Sequence, residues 1–437
     1  MEDIEKGTEF FSTHNAAFTV YPFPRELLER IVREHDGWFP IRIKGLPEGS
    51  VVYPHTPVYI IEAEEEFSAL ITWFETVLTM LWYPTTVATL SRRIRSLIED
   101  AFERSVALQG HGLIESRLHD FGFRGCTSVE QAMIGGAAHL LSFRGTDTAV
   151  AAYYTQYGRN QGLPVAQSIP ATEHSLMMAF PDERVAILET IKLYGHGVFA
   201  CVMDSYDYMA ALEKVLPAVA QHKLENNRGF MVLRPDSGDP VEAVLAALRA
   251  CDRVFGSIPN PKGYRVLCGC GVIQGDGINY QTIRLLLKAT MEEGFSAENV
   301  AFGMGGGLLQ RIHRDTMNFA TKVSSFLDQE GVEHNVCKIP KGDPSKHSLP
   351  GRFAVRRDSR GVTRVFPLES TPPESEEMMA LYYDHGPVDA DHLSRTFDQI
   401  RETTDRNWRC LPKTGDPISA ELKLKMQHLR KGRSIAN

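Results

Sequence analysis

The sequence predicts an α/β fold: a (β/α) barrel plus a discontinuous α+β domain from the two chain ends. From Leu118 onward, short apolar runs end in polar or glycine-rich turns, and helical segments follow most of them. Repeated strand–turn–helix units indicate parallel strands covered by helices. Side chains suited to binding and catalysis lie at the ends of these strands. The rhythm is missing before this region and is lost from about Ser324.

The strand endings favour a barrel over an open doubly wound sheet. In chain order they read HLLSFRGTD, AQSIPATEH, VFACVMDSYD, GFMVLRPDSGD, CGVIQGDG and VAFGMGGG. The carboxyl ends of barrel strands converge on one mouth, where active sites form. A doubly wound sheet gathers such residues only near its switch point. Six polar endings are more than one crevice needs, so we predict a barrel over residues 109–320.

The two chain ends are predicted to form one discontinuous α+β domain, residues 1–108 with 321–437. Short strands are expected within Pro40–Leu46 and Val51–Ala63, and helices over about Glu66–Trp82 and Thr86–Leu108. After the barrel, a loop rich in proline, glycine and lysine precedes strand-like pieces such as GRFAVRR. These pieces are expected to pack on the first hundred residues.

Composition narrows the class of protein. The net charge of −8 argues against a protein devoted to nucleic acid or anionic membrane, although a local basic pocket remains compatible with it. Seven scattered cysteines are typical of reduced cytosolic thiols. The charged N-terminus lacks the apolar stretch of a signal peptide, and no segment is apolar enough to span a bilayer. We therefore expect a cytoplasmic protein.

Two turns carry the groups expected to bind phosphate and ribose. Glycines over residues 303–307 follow a strand and precede a helical start, so backbone N–H groups can approach an anion there. Arg311 and Arg314 are near enough to assist. In the second turn, Arg234 can bind phosphate while Asp236 holds a ribose hydroxyl or a Mg²⁺ on pyrophosphate. The structural alternatives are a tight glycine turn and a helix N-cap at Asp236 or Ser237.

Further candidates are an acid, a histidine and a ring-binding motif. Asp276 lies on a glycine-flanked turn, where backbone preference alone also explains an aspartate. His174, preceded by Glu173, can act as base, acid or phosphoryl acceptor. Phe121 and Arg124 in LHDFGFRG would hold a flat heteroaromatic ring, unless they are a core phenylalanine and a surface arginine. Asp147 could accept from a carboxamide or cap a helix.

These motifs together resemble the type II phosphoribosyltransferases, and among them the nicotinamide phosphoribosyltransferases. The agreement runs from about residue 38 to residue 355 in LPEGSVV, TWFETVL, WYPTTVATLSR, LHDFGFRG, GTDT, SIPATEHS, DSYD, LRPDSGDP, VIQGDG and AFGMGGGLLQR. The resemblance implies the irregular barrel of that family. It also implies transfer of phosphoribosyl from phosphoribosyl pyrophosphate to nicotinamide in NAD salvage. Mg²⁺ and ATP are the cofactors it implies.

The resemblance also implies roles for matching residues. His174 would be phosphorylated by ATP with support from Glu173, and Asp236 completes the catalytic set. The substrate-binding positions are Phe121, Arg124 and Asp147 for the ring, Asp207, Arg234, Asp236, Gly275 and Asp276 for ribose, and Gly305, Gly306, Arg314, Lys322, Lys338 and Lys346 for phosphate. Ser168 is a further substrate-binding position. A homodimer with shared active sites is implied as well.

One departure from the family keeps alternatives open. Family members carry an N-terminal Asp-Ser-Tyr-Lys motif, whose tyrosine closes the ring site from the partner subunit, and MEDIEKGTEFFSTH has no equivalent. An N-terminally truncated, non-catalytic paralogue that binds phosphorylated ligands is therefore one alternative. A nicotinate phosphoribosyltransferase is another. Asp147 favours the amide, because a carboxylate would repel the carboxylate of nicotinate.

Overall fold

The computed structural model describes residues 1–14, 19, 22–225, 229–340, 347–358 and 361–435. The chain divides into two compact units. The terminal unit comprises Met1–Met80, Ala320–Arg395 and Gln399–Asn437, and the barrel unit comprises Leu81–Phe319 with Thr396–Asp398. The predicted boundary after residue 108 differs from this division at the long helix Trp82–Ser105, which lies in the barrel unit.

The helices are α1 Glu2–Thr13, α2 Arg25–Glu34, α3 Ile71–Thr79, α4 Trp82–Ser105, α5 Val129–His139, α6 Ala149–Tyr153, α7 His174–Met178, α8 Glu183–Tyr194, α9 Tyr208–Ala210, α10 Leu216–Glu225, α11 Pro240–Phe255, α12 Tyr280–Glu292, α13 Gly306–Leu309, α14 Phe397–Cys410 and α15 Ala420–Ile435. No helix in the described ranges is both long and apolar enough to cross a membrane.

The strands are β1 Ile41–Gly45, β2 Tyr59–Ala63, β3 Leu118–Asp120, β4 Val198–Val202, β5 Phe230–Arg234, β6 Ser257–Pro259, β7 Arg265–Leu267, β8 Cys270–Gln274, β9 Val300–Met304, β10 Ser325–Leu327, β11 Glu333–Asn335, β12 Phe353–Arg357, β13 Thr363–Pro367, β14 Glu376–Glu377 and β15 Ala380–Asp384.

The barrel unit is built on a five-stranded parallel sheet in the order β3-β9-β8-β5-β4. Isolated parallel bridges continue it beyond both edges. Asp120 pairs with Thr146, Gly145 with Gln167, and Ala171 with Ala200 of β4. These bridges carry the pairing from β3 around to β4, so the sheet closes on itself. The predicted irregular barrel is confirmed.

Two predicted strands are reduced to such bridges. The run HLLSFRGTD begins inside α5, which extends to His139. In AQSIPATEH, Pro170 has no N–H to donate, and only its carbonyl is used, as acceptor from Ala200 N. The irregular third of the barrel therefore follows from helix extension on one side and proline on the other.

The two faces of the sheet bury different cores. A large apolar cluster fills the layer between the strands and the surrounding helices. The barrel interior holds a much smaller cluster, to which neighbouring strands contribute Ala200, Val232, Ile273 and Ala301. Phe121 and Ile169 pack against it. Because side chains alternate along a strand, Arg234, two positions after Val232, and Gly303, two positions after Ala301, lie on the same side of the sheet as this smaller cluster.

The terminal unit has the predicted α+β character and draws on both chain ends. Strand β1 pairs antiparallel with β2 and also with β15, which lies more than 300 residues later. A second sheet has the order β13-β12-β14, and β10 pairs with β11 in a hairpin. The predicted strands of the first hundred residues are shorter than expected, because prolines at 54 and 57 precede β2.

Candidate active site

The ring of Phe121 lies over bare backbone at the barrel mouth. A Cβ added to Gly303 would lie 2.0 Å from Phe121 Cε2, and one added to Gly275 would lie 3.3 Å from the same atom. Side chains at these two strand ends would therefore collide with the aromatic ring or crowd it. Gly303 is required by the ring, so the first glycine of the run serves the aromatic site rather than an anion.

Asp147 lies at the barrel mouth beside the segment that carries Phe121. We call this segment, residues 120–126, the ring loop. The backbone N–H of Asp147 donates to the Asp120 carbonyl at 2.9 Å, and its carboxylate accepts from Ser168 Oγ at 2.6 Å. The capping position of α6 is held by Thr148, without a side-chain bond. The helix-cap explanation of Asp147 is therefore wrong. The exposed carboxylate remains available to a ligand, and Arg124 is exposed in the same loop.

His174 is held between two aspartates from neighbouring strand ends. Its Nε2 lies 3.2 Å from Asp204 Oδ1 and its Nδ1 lies 3.8 Å from Asp236 Oδ2. Glu173 instead accepts from the Ser175 N–H at 2.8 Å and caps α7. The acid that is hydrogen-bonded to the imidazole is thus Asp204, and a supporting role for Glu173 stays a prediction.

Asp204 organises the turn after β5 as well as the imidazole. Its Oδ2 accepts from Ser237 Oγ at 2.5 Å and from the Asp236 N–H at 3.1 Å. Its side chain is only 3% exposed. The sequence placed Asp204 at a strand end in DSYD but assigned it no role. The available signal was that position, whereas its bonds to a turn 32 residues later depend on strands β4 and β5 pairing.

Arg234 is the cation of this group, and we call His174, Asp204, Arg234 and Asp236 the charge cluster. Arg234 Nη2 lies 3.7 Å from Asp236 Oδ2, and the arginine side chain is 16% exposed. Within the described residues, its buried Nε has no hydrogen-bond partner. A buried guanidinium with an unused donor is well suited to an anionic ligand.

Helix capping does not explain the residues on the turns around the charge cluster. Asp239 caps α11 through the Val241 and Glu242 N–H groups, so the cap proposed for Asp236 or Ser237 is wrong. Asn279 caps α12, which leaves the exposed Asp276 outside the capping bonds.

Asp207 differs from these residues, because it does cap a helix. Its carboxylate accepts from Ala210 N at 2.9 Å at the start of α9. Its predicted contact with ribose stays a prediction.

The glycine turn, residues 303–307, leads into the short helix α13. Gly305 occupies the capping position, and an added Cβ there would lie 3.1 Å from the Phe121 carbonyl oxygen. Arg314 is engaged elsewhere, with Nη1 bonded to Phe319 O at 2.5 Å and Nη2 paired with Asp315 at 2.7 Å. Arg311 lies nearer, since its Nε is 3.9 Å from a Cβ built on Gly306.

The three lysines predicted to bind phosphate belong to a part of the chain outside the barrel unit. Lys322 and Lys338 belong to the terminal unit and are exposed there. Lys322 Nζ donates to its neighbour Thr321 O at 2.5 Å and lies 3.6 Å from Glu75. Lys346 lies outside the described residues. Phosphate binding by these lysines stays a prediction.

Two titratable groups, His119 and Asp120, are buried at the start of the ring loop. Burial raises the pKa of the Asp120 carboxyl to about 6, although the Gly122 N–H, bonded to it, acts in the opposite direction. Burial also lowers the pKa of His119, while the negative charge of Asp147 opposes that shift. His119 is therefore held neutral near the ring of Phe121, at a centroid distance of 6.3 Å.

The sequence matches known proteins over most of its length. The model of the nicotinate phosphoribosyltransferase (NAPRTase) family matches residues 116–370. A nicotinamide phosphoribosyltransferase of Xanthomonas campestris is 35% identical over 413 residues, which cover 92% of this chain and 86% of the relative. One of Acinetobacter baylyi is 31% identical and covers 91% of this chain and 85% of the relative.

Solved structures share the fold at much lower identity. Human nicotinic acid phosphoribosyltransferase has a TM-score of 0.58 and 17% identity, and the match covers 98% of this chain and 88% of that one. A nicotinate-nucleotide pyrophosphorylase of Pyrococcus furiosus has a TM-score of 0.57 and 15% identity, covering 89% of this chain and 84% of that one. With the matches of sequence and the barrel described above, the chain belongs to the nicotinate phosphoribosyltransferase family, as its motifs predicted.

Proposed function

We propose that this chain transfers the phosphoribosyl group from phosphoribosyl pyrophosphate to nicotinamide, giving nicotinamide mononucleotide and pyrophosphate for NAD salvage. The observation that carries the proposal is the juxtaposition of two features at one barrel mouth. Phe121 lies over the ends of β8 and β9, and the charge cluster occupies the neighbouring ends of β4 and β5. A flat ring and a sugar phosphate need these two surfaces side by side.

The reaction requires positioning and charge rather than a protein nucleophile. The bond from ribose C1 to the pyrophosphate oxygen breaks, and the pyridine nitrogen of nicotinamide forms the new bond to C1 from the opposite face. The electron pair of the broken bond leaves with pyrophosphate. Arg234 would offset that charge, and Asp236 would face the positive charge that develops on the ribose.

Asp147 supports the choice of nicotinamide over nicotinate. A carboxamide –NH₂ can donate to the exposed Asp147 carboxylate, whose other bond comes from Ser168 Oγ. The carboxylate of nicotinate would be repelled at the same place. Two relatives that cover most of this chain carry the name nicotinamide phosphoribosyltransferase, and that name agrees with the proposed preference for the amide.

Magnesium would arrive with the pyrophosphate substrate. No group of three or more metal-binding side chains in the described ranges could hold an ion alone. Mg²⁺ is usually bound through one or two carboxylates plus substrate phosphates. Asp236, with a carboxylate 22% exposed at the mouth, fits that limited demand. The ion would neutralise charge on the departing pyrophosphate.

ATP coupling through His174 is part of the proposal. The contact of Nε2 with Asp204 favours the tautomer that carries a proton there, which leaves Nδ1 as the nucleophile. Nδ1 would form a bond to the γ-phosphorus of ATP. The bond between that phosphorus and the β–γ bridging oxygen would break, and ADP would leave. Water would later hydrolyse the N–P bond to give phosphate. A phosphoryl group on His174 would add negative charge between two aspartates and change their arrangement.

The cellular setting and the assembly are inferred too. Six of the seven cysteines are free thiols, which supports a reducing compartment such as the cytoplasm: Cys126, Cys201, Cys251, Cys268, Cys270 and Cys410. The family resemblance predicts a homodimer with shared active sites. Phosphate binding by Lys322, Lys338 and Lys346 belongs to that same inference.

The deciding experiment is turnover by the purified chain. We expect nicotinamide mononucleotide from phosphoribosyl pyrophosphate, Mg²⁺ and nicotinamide, with ATP raising the rate and phosphate released alongside. Equal concentrations of nicotinamide and nicotinate should give mainly the amide product, and Asp147→Asn should weaken that preference. A preference for nicotinate would mean that nicotinate, and not nicotinamide, is the substrate. Nucleotide binding without any turnover would support the non-catalytic paralogue instead.

A further inference from the structure

We infer that Gln310 is a positioning residue that fixes the ring loop to the glycine turn and thereby sets the affinity for the nicotinamide ring. This inference rests on the proposed function. The residue was assigned no role from the sequence and lies outside the charge cluster. Its side-chain Nε2 reaches two groups of the ring loop more than 180 residues earlier in the chain, the Gly122 carbonyl at 3.0 Å and Cys126 Sγ at 3.1 Å.

Gly122 directly follows Phe121 in the chain, and both its N–H and its carbonyl are hydrogen-bonded. The N–H donates to Asp120 Oδ1 at 2.7 Å, and the carbonyl accepts from Gln310 Nε2 at 3.0 Å. The N–H of Gly125 and the thiol of Cys126 also reach this carbonyl, at 3.0 and 3.5 Å. Gly122 is thus held at both its N–H and its carbonyl. Its fixed orientation holds the backbone that carries the Phe121 ring.

Close packing leaves Gly122 little room to move. A Cβ built there would lie 2.6 Å from Leu309 Cδ1 and 3.0 Å from Asp120 Oδ1. A Cβ on Gly125 would lie 2.8 Å from Gln310 Oε1. The amide of Gln310 therefore packs where Gly125 has no side chain, and Leu309 packs where Gly122 has none.

The other end of Gln310 belongs to the glycine turn. Its backbone N–H donates to Gly306 O at 3.0 Å at the end of α13, and its Oε1 lies 3.7 Å from a Cβ built on Gly306. The ring loop and the glycine turn also meet where Phe121 N donates to Met304 O at 3.1 Å. Gln310 adds the only side-chain amide bond from the turn's helix to Gly122 among the described contacts.

The proposal predicts a loss confined to the ring substrate. Without the Nε2 donor, the Gly122 carbonyl loses a half-buried hydrogen bond and the ring loop is free to shift. Gln310→Met keeps the side-chain length but removes the donor, and we expect the KM for nicotinamide to rise about 5–10-fold. The KM for phosphoribosyl pyrophosphate and the kcat should change less than about two-fold.

Gln310→Glu gives a stronger version of the same test. The carboxylate keeps the shape but sets an acceptor against the Gly122 carbonyl, so we expect a KM for nicotinamide about 10–50-fold above that of the unmodified chain. The matched control is Gln131→Met. Gln131 Nε2 reaches the Leu309 carbonyl of the same short helix at 3.5 Å, and its Oε1 accepts from Thr127 N at 2.8 Å and Thr127 Oγ1 at 2.9 Å, but it makes no bond to Gly122. Its kinetic constants should stay within about two-fold of the unmodified chain.

Amide hydrogen exchange provides a readout that does not need activity. Peptides covering residues 120–126 should exchange faster in Gln310→Met than in Gln131→Met, while peptides from β4 and β5 should be unchanged. Equal losses in both KM values, or unchanged exchange in the ring loop, would overturn the positioning role. An inactive unmodified chain with altered exchange in Gln310→Met would reject the proposed function and keep the structural role of Gln310.

Discussion

The two halves of the barrel mouth are built by different physical means. On the aromatic side, Phe121 fits over Gly275 and Gly303, and the closeness of the fit depends on missing side chains. On the polar side, His174, Asp204 and Asp236 are held by hydrogen bonds and charge. Steric fit tolerates almost no added atom, whereas a hydrogen-bonded group can lose one partner and keep its others.

The buried acids of the two halves show the same contrast. Asp204 accepts from Ser237 Oγ, the Asp236 N–H and the imidazole of His174. Asp120, at the start of the ring loop, accepts from Gly122 N through Oδ1, and no described residue bonds its Oδ2. Burial without full hydrogen bonding raises the pKa of Asp120 to about 6. The aromatic half therefore contains a carboxyl that favours its neutral form.

The largest expected effect comes from adding one methyl group to the aromatic half. Gly303→Ala places a Cβ 2.0 Å from Phe121 Cε2, so the ring or the strand must move. We expect kcat/KM for nicotinamide to fall about 1,000-fold, measured by initial rates of mononucleotide formation. Gly112→Ala is the control, because a Cβ added there meets no atom within 4 Å and Gly112 lies outside the proposed substrate-binding positions. Equal losses in both variants would contradict the steric account.

A smaller effect is expected from the buried acid of the aromatic half. Because the folded-state pKa of Asp120, about 6, exceeds its ordinary value of 3.8, folding favours the protonated form. The unmodified chain should lose stability relative to Asp120→Asn as pH rises from 4 to 6, by about 3 kcal/mol in total, and no further above that. Urea unfolding of both proteins followed by circular dichroism at several pH values measures the difference.

The partly exposed Asp328 provides the opposite sign as a control for that measurement. A hydrogen bond from His334 lowers the pKa of Asp328, so its contribution to stability is present above its ordinary range and is lost as pH falls. Asp328→Asn should therefore differ from the unmodified chain at neutral pH and approach it in acid. A difference for Asp120→Asn that is constant between pH 4 and 7 would contradict the burial of a neutral acid.

In the polar half, removing one hydrogen-bond acceptor should lower turnover in part rather than abolish it. Asp204→Asn replaces one acceptor oxygen by an –NH₂ facing the donors Ser237 and Asp236 N–H, while leaving a contact for His174. We expect the stimulation of turnover by ATP to fall about 10–30-fold, with a smaller change in the ATP-independent rate. Asp182→Asn, which alters only the cap of α8, is the control. A full loss of both the ATP-stimulated and the ATP-independent rate would mean that the polar half tolerates substitution no better than the aromatic half.

Local sequence patterns were sufficient for the fold class and for most of the site's parts. The strand–turn–helix rhythm predicted parallel strands, and the reactive residues at strand ends predicted one mouth, because strand polarity alone decides which ends converge. The patterns failed where a helix extended or a proline interrupted pairing. Two of the predicted barrel strands survive as the bridges of Gly145 and Ala171 for that reason.

The sequence by itself determined which chemical groups are present and at which ends of strands they stand, since both depend on neighbours along the chain. Only the tertiary structure decided which of them touch. Gly303 serves the Phe121 ring, Asp204 rather than Glu173 contacts His174, and Gln310 reaches Gly122 across 188 residues. Such contacts depend on how parallel strands are ordered and closed around the barrel, and no local pattern records that order.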